Sequence, residues 1–87
     1  MVYKILIGRR AERDLKGTPK EIKKRIIAVI LKLKNNPRPF NVRKISGSVN
    51  YYRIRVSDYR IVYEVNDKEK KINIFRIRHR KEAYLNL

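Results

Sequence analysis

The chain has 87 residues and carries 24 lysines and arginines against 8 acidic residues, a formal charge of +16. That length bounds it to one domain, 1–87, with a modest core; with 0 cysteines it has no disulfide and no Cys-ligated zinc, which fits a reducing compartment. No apolar run approaches the roughly 18–20 residues of a membrane span, and Met1-Val2-Tyr3-Lys4-Ile5 lacks the basic-then-apolar pattern of a secretory leader, so the expectation is a cytoplasmic protein with no membrane partner.

Val2 to Ile7 reads as a strand with Tyr3, Ile5 and Ile7 on one face. Arg9 to Lys16 reads as a short helix, followed by Gly17, where a left-handed C-terminal cap is easiest. Thr18-Pro19-Lys20-Glu21 has the form of an N-cap, a proline at the first helical position and the Glu of a capping box. Ile22, Ile26, Val29, Ile30 and Leu33 then recur at helical spacing, with Lys20, Lys23, Lys24, Lys32 and Lys34 largely off that stripe. Asn35-Asn36-Pro37 should stop this second helix. Arg43 to Ser46 reads as a short strand ending at Gly47; Tyr51 to Val56, Tyr59 to Val65 and Lys71 to Arg78 read as longer strands, and Lys81 to Leu87 as a tail with a short helical turn. The pattern predicts an α+β domain of core order β-α-α-β-β-β, an antiparallel sheet with the helical hairpin on one face.

Side chains alternate across a strand. Tyr52, Ile54 and Val56 therefore share one face, and Arg53 and Arg55 the other. A two-residue turn at Ser57-Asp58 pairs Val56 with Tyr59, Ile54 with Ile61 and Tyr52 with Tyr63, joining apolar residues on the helix side. The same register sets Arg55 opposite Arg60 and Arg53 opposite Val62. Like charges directly opposite are destabilising, and an anion held between them removes the conflict. Placing Phe75 and Ile77 towards the core turns Arg76 and Arg78 to the side of Arg60; Ile72 and Ile74 argue for the opposite phase. An odd-length turn around Asp67-Lys68-Glu69 satisfies the arginine arrangement and an even one does not. Charge far above what solubility needs, concentrated as arginine on strands, points to a phosphate-bearing polyanion, RNA first.

With one histidine, three glycines and no cysteine, metal, Gly-rich phosphate-loop and Ser-His-Asp chemistries of the familiar patterns find no residues, and no cofactor is expected. RNA cleavage needs none: the ribose 2′-OH attacks the adjacent phosphate, and the protein aligns it, stabilises the developing charge and moves protons. Arginine suits the first two tasks and is a poor base. Proton transfer would fall to His79, Tyr84, Lys44, Lys81 or Glu64.

Tyr59-Arg60-Ile61-Val62-Tyr63, preceded by Tyr52-Arg53-Ile54 and followed by Ile77-Arg78-His79-Arg80-Lys81-Glu82-Ala83-Tyr84, resembles the RelE/ParE superfamily of toxin–antitoxin toxins. Ala11-Glu12-Arg13-Asp14-Leu15 and the segment Arg43-Lys44-Ile45-Ser46-Gly47, similar to the family's Leu-x-Gly, carry the resemblance across essentially the whole chain. It implies a microbial-ribonuclease-like fold and, in the RelE branch, a translation-inhibiting endonuclease that enters the ribosomal A site and cuts mRNA. It also implies an acidic RelB-like antitoxin that wraps the toxin and is the route to any oligomer. The family's strand arginine matches Arg60, and its basic pair falls on Arg53 and Arg55, where well-known RelE members carry lysine. The C-terminal arginine matches Arg80 or Arg78, and Tyr84 matches the C-terminal tyrosine that distinguishes RelE from the gyrase-poisoning ParE branch. Strand geometry and resemblance together give a candidate site: Arg55, Arg60, Arg80 and Tyr84 at the reacting phosphate, with Arg53, Arg76, Arg78 and Lys44 holding the substrate. Two rival readings are a ParE-like DNA gyrase poison and a non-catalytic basic nucleic-acid-binding domain.

Overall fold

Two short amphipathic helices, each too short to be stable alone, form against a sheet that takes their apolar stripes. The computed structural model of the protein describes residues 2–45, 47 and 50–80. Strand β1 (Lys4–Ile7) leads into α1 (Arg9–Lys16) and α2 (Lys20–Leu33); β2 (Arg43–Lys44), β3 (Tyr51–Val56), β4 (Tyr59–Asn66) and β5 (Lys71–His79) follow. Ala11 and Leu15 of α1 and Ile26, Ile30 and Leu33 of α2 are buried. They meet Ile54, Val56, Ile61, Tyr63, Val65, Ile72, Ile74 and Ile77 in one core. No described helix is long and apolar enough to cross a membrane.

The sheet has five strands in the order β1-β5-β4-β3-β2. Its four later strands pair antiparallel, but β1 runs parallel to β5, Lys4 opposite Lys71 and Ile7 opposite Ile74. The expected all-antiparallel sheet is thus mixed, and the short strand expected from Arg43 is present as β2. The reason is topological: a helical hairpin separates β1 from the rest, and a crossover of that length returns the chain parallel. Gly8 sits at the crossover's start, its N–H bonded to the Ile74 carbonyl at 2.9 Å. A Cβ there would lie 3.1 Å from that same oxygen.

The helix junction corrects two expectations. Gly17 has φ −87, not left-handed, and its N–H closes onto the Arg13 carbonyl. The Thr18 hydroxyl does not cap α2; it donates back to the Asp14 carbonyl at 2.7 Å, and Pro19 occupies the N-cap position. The capping box is therefore not formed, because the buried Thr18 is committed to ending α1 rather than starting α2.

The β3–β4 register is the expected one, with Val56 opposite Tyr59, Ile54 opposite Ile61 and Tyr52 opposite Tyr63. The β4–β5 turn joins Asn66 to Lys71 and so spans an even number of residues. The odd residue comes from a bulge: Tyr63 faces Ile74 while Val62 faces Arg76, leaving Phe75 over. Ile72 and Ile74 before the bulge and Ile77 after it all reach the core, whereas Phe75 is 39% exposed. Ile72 and Ile74 keep the one phase before the bulge, and Ile77 with Arg78 opposite Arg60 keeps the other after it; Phe75 itself is not a core residue.

Candidate nucleic-acid interface

The face of the sheet away from the helices carries two rungs of arginine. One rung is Arg55, Arg60 and Arg78 on β3, β4 and β5, each directly opposite its neighbour. The other begins with Arg43 on β2 opposite Arg53 on β3, and continues to Val62. Opposed Cα atoms in an antiparallel pair are about 4.5–5.5 Å apart, so these guanidinium groups are forced into one neighbourhood. Asn41, Arg43, Arg53, Arg55 and Arg60 line a basin of about 150 Å³ there. Arg55 donates to the Ser57 carbonyl at 2.8 Å and approaches Asp58 at 3.9 Å, with both side chains well exposed. A surface contact that long offsets little of the like-charge repulsion.

The tight Ser57–Asp58 turn that joins β3 to β4 puts Ser57 at φ +57. The Arg80 N–H donates to the Asp58 carbonyl at 2.6 Å, so the end of β5 is tied to that turn and the Arg80 backbone is held beside the arginine rung. Tyr84 and Lys81 lie outside the described residues.

Four other candidates sit away from the basin. Arg76 does not join the arginine face: its guanidinium is held by Asp14 of α1 at 2.9 Å, and the same carboxylate accepts the Ile77 N–H at 2.9 Å. The bulge explains this, since it turns the strand where β1 no longer covers its edge, and Asp14 fills the vacated hydrogen-bond position. Lys44 pairs opposite Tyr52, a core-side residue, and so lies on the other face from Arg43. His79 pairs with Tyr59, edge to face at 5.2 Å, also on the helix side of the sheet. Glu64 shares the arginine face but lies two rungs beyond Arg60, about 13 Å along the strand, accepting from Asn73 at 2.9 Å.

Arg43 and Asn41 are the site residues that sequence reading missed. The signal was present in part: once Arg43 to Ser46 reads as a strand, its register against β3 decides which of Arg43 and Lys44 faces the arginines. Asn41 belongs to a loop, residues 34–42, that no periodicity describes.

That loop is fastened at several points. Arg38 donates to both carboxylate oxygens of Asp67 (2.7 and 3.2 Å) and to the Tyr52 hydroxyl (2.8 Å), with its guanidinium 5.2 Å from the Tyr52 ring. Tyr3 donates to Asp67 at 2.6 Å and Tyr63 to the Pro37 carbonyl at 2.7 Å. The hydrogen bonds from Arg38 and then Tyr3 lower Asp67 from 3.8 to about 2. Bonding to Asp67, then to Tyr52, raises Arg38 further above its already high value. Burial pushes the Tyr63 hydroxyl up, keeping it a neutral donor. Among the described residues no group of His, Asp or Glu side chains is placed to hold a metal ion.

The family described as "ParE toxin of type II toxin-antitoxin system, parDE" matches residues 5–84. A relative named Toxin RelE3, from Methanocaldococcus jannaschii, is 41% identical over 85 residues, covering 93% of this chain and 94% of its own. Among solved structures, the archaeal RelE–RelB complex from Pyrococcus horikoshii OT3 superposes with a TM-score of 0.81 at 33% identity, covering 92% of this chain and 97% of that one. The RelB–RelE antitoxin–toxin complex from Methanococcus jannaschii gives 0.79 at 38%, covering 94% and 98%. A family match over nearly the whole chain, together with relatives named RelE, shows that this chain belongs to the RelE/ParE superfamily of type II toxin–antitoxin toxins, on its RelE-like side.

Proposed function

We propose that this toxin is a ribosome-dependent endoribonuclease that grips mRNA in the arginine basin and cuts it in the A site. The observation that carries the reading is the unbroken rung Arg55–Arg60–Arg78, backed by Arg43 and Arg53. Such a rung costs stability unless an anion lies on it, and arginine forks match phosphate oxygens two at a time.

In the reaction, the 2′-oxygen forms a bond to phosphorus as the bond from phosphorus to the 5′-oxygen breaks. A proton leaves the 2′-OH and another reaches the 5′-oxygen, giving a 2′,3′-cyclic phosphate and a 5′-OH. Arg60 and Arg55 take the charge that builds on the non-bridging oxygens, with Arg80 close by at the strand end; Arg53, Arg43 and Arg78 hold the flanking backbone. His79 and Lys44 lie on the other face and Glu64 is two rungs away, which leaves Tyr84 and Lys81 of the five candidates; of these Tyr84, which matches the family's C-terminal tyrosine, is assigned to align the 2′-OH or move its proton.

The same basin is the natural target for a RelB-like acidic antitoxin. Two relatives of known structure are complexes with RelB, and a carboxylate-bearing segment laid on the arginines would hide the gripping face.

Primer extension on an mRNA in a purified translating system tests the proposal. Cuts at the A-site codon are expected with the wild-type protein, only with ribosomes present, and none with a folded Arg60→Ala variant. An equally active Arg60→Ala protein would falsify the assignment. A second reading, a ParE-like gyrase poison, draws support from the family's description and from arginine standing where well-known RelE members carry lysine. It predicts loss of gyrase supercoiling activity without mRNA cuts.

A further inference from the structure

Phe40 is fully exposed, at 103% of its reference surface, while the other aromatic rings of the described residues are at most about two-fifths exposed. An isolated apolar side chain on a surface needs no explanation by itself. This one differs in its setting. It sits between Pro39 and Asn41, and Asn41 lines the arginine basin. The loop that carries it is not loose: Arg38 is clamped to Asp67 and Tyr52, Pro37 to Tyr63, and the Val42 N–H closes onto the Pro39 carbonyl at 3.0 Å. The chain therefore fastens the backbone on both sides of an unpacked phenyl ring, next to a residue that lines the arginine basin. Adjacent Cα atoms are 3.8 Å apart, so the Phe40 backbone lies within one nucleotide's length of a residue that lines the basin.

We infer that Phe40 is a stacking platform for a nucleobase adjoining the phosphate held by the arginines, and thus a determinant of how the single strand is seated. This inference rests on the reading of the basin as a single-stranded RNA site. Arginines bind the backbone without reading bases; a flat aromatic face beside them adds base-dependent affinity for unpaired nucleotides, since a base stacks only when it is splayed from its neighbours. The other exposed rings of the sheet face, Tyr51 and Phe75, pack on each other edge to face at 5.4 Å and so are already partnered. Phe40 lies outside the hydrophobic core, so replacing it leaves the fold intact.

The chain contains no tryptophan, which makes Phe40→Trp a lone fluorescent reporter at the platform. The experiment titrates Phe40→Trp, wild type, Phe40→Ala and Phe75→Ala with a short single-stranded RNA and with an abasic ribose-phosphate strand of equal length. Binding should quench Phe40→Trp with the base-bearing strand and not with the abasic one. Phe40→Ala should lose roughly five- to a hundredfold in affinity for the base-bearing strand, with no change for the abasic strand and none in unfolding temperature. Equal quenching by both strands, unchanged affinity in Phe40→Ala, or loss of base preference in Phe75→Ala instead, overturns the inference. So does a Phe40→Ala protein that keeps RNA affinity and loses only antitoxin affinity, which would make Phe40 a partner anchor. Ribosomal cleavage is read separately: base-dependent quenching without any mRNA cutting leaves the platform standing and removes the nuclease reading.

Discussion

At the scale of single residues, the arginine rung is a conflict between stability and binding. Arg60 faces an arginine on each side, Arg55 on β3 and Arg78 on β4's other neighbour. Like charges directly opposite each other across a strand pair are destabilising. Arg60→Gln should therefore unfold at the same temperature as wild type or a few degrees higher in low salt, about 1 kcal/mol corresponding to 4–8 °C for a domain of this size. The difference should vanish in high salt, where the repulsion is screened. A clear drop in unfolding temperature at low salt would mean that Arg60 is chiefly structural. Arg43 and Lys44 offer a sharper comparison, because the two are adjacent in sequence and point to opposite faces. Arg43→Ala should weaken single-stranded RNA binding and reduce the slope of log affinity against log salt by about one phosphate contact. Lys44→Ala should change that slope little. Equal effects would imply that RNA reads the general charge of the molecule and not the basin.

At the scale of elements, the β5 bulge decides what each residue does. It lets Ile72, Ile74 and Ile77 all reach the core and brings Arg78 opposite Arg60, while Arg76 is drawn over the edge to Asp14. Asp14 then serves two bonds at once, the Arg76 guanidinium and the Ile77 N–H, with a side chain only 18% exposed. Asp14→Ala would strand both donors, and a loss of about 2–3 kcal/mol in a denaturant titration is expected. Asp14→Asn, which can still accept the N–H, should lose less. Similar losses for both would show that charge, not the strand-edge bond, is what matters. The sequence was legible where local pattern applies: α1 and β3 have the bounds read for them, and alternation with a two-residue turn gave the Arg55–Arg60 opposition. It was not legible where one residue has two competing partners. Thr18 fits a helix N-cap, yet its hydroxyl goes back to Asp14. An odd turn was needed to align the arginines, yet the odd residue sits inside the strand at Phe75, because Ile72 and Ile74 demand the core before the bulge and Ile77 after it. The parallel placement of β1 is set by the crossover through the helices, which strand patterns alone do not encode.

For the whole molecule, a formal charge of +16 on 87 residues means that the few acids carry unusual weight in holding the parts together. Asp67 joins three of them: Tyr3 just before β1, Arg38 in the loop that carries Phe40 and Asn41, and its own β4–β5 turn. Because these bonds favour its charged form, Asp67 sits at about 2 and not 3.8. A carboxyl group with a lowered folded value stabilises the fold fully above its unfolded value, and that contribution is lost as pH falls through the folded one. The clamp should thus be intact at neutral pH, weaken below about 4, and be gone near 2. The same fall in pH neutralises the other acids and leaves 24 basic side chains uncompensated, so general repulsion grows in parallel and must be separated from the clamp. A comparison with Asp67→Asn does so, since repulsion acts on both proteins while only the wild type has the charge to lose. In concentrated salt, which screens the repulsion, the wild type should unfold at the higher temperature from pH 7 down to about 4, and the two curves should converge between 4 and 2. If the loop is what the clamp holds, Asp67→Asn should also weaken base-dependent RNA binding at neutral pH while leaving the affinity for an abasic strand nearly unchanged. Parallel curves across that pH range, or equal losses for the two strands, would mean that Asp67 supplies only diffuse counter-charge and that the basin's rim is positioned by the Tyr63–Pro37 bond and the prolines alone.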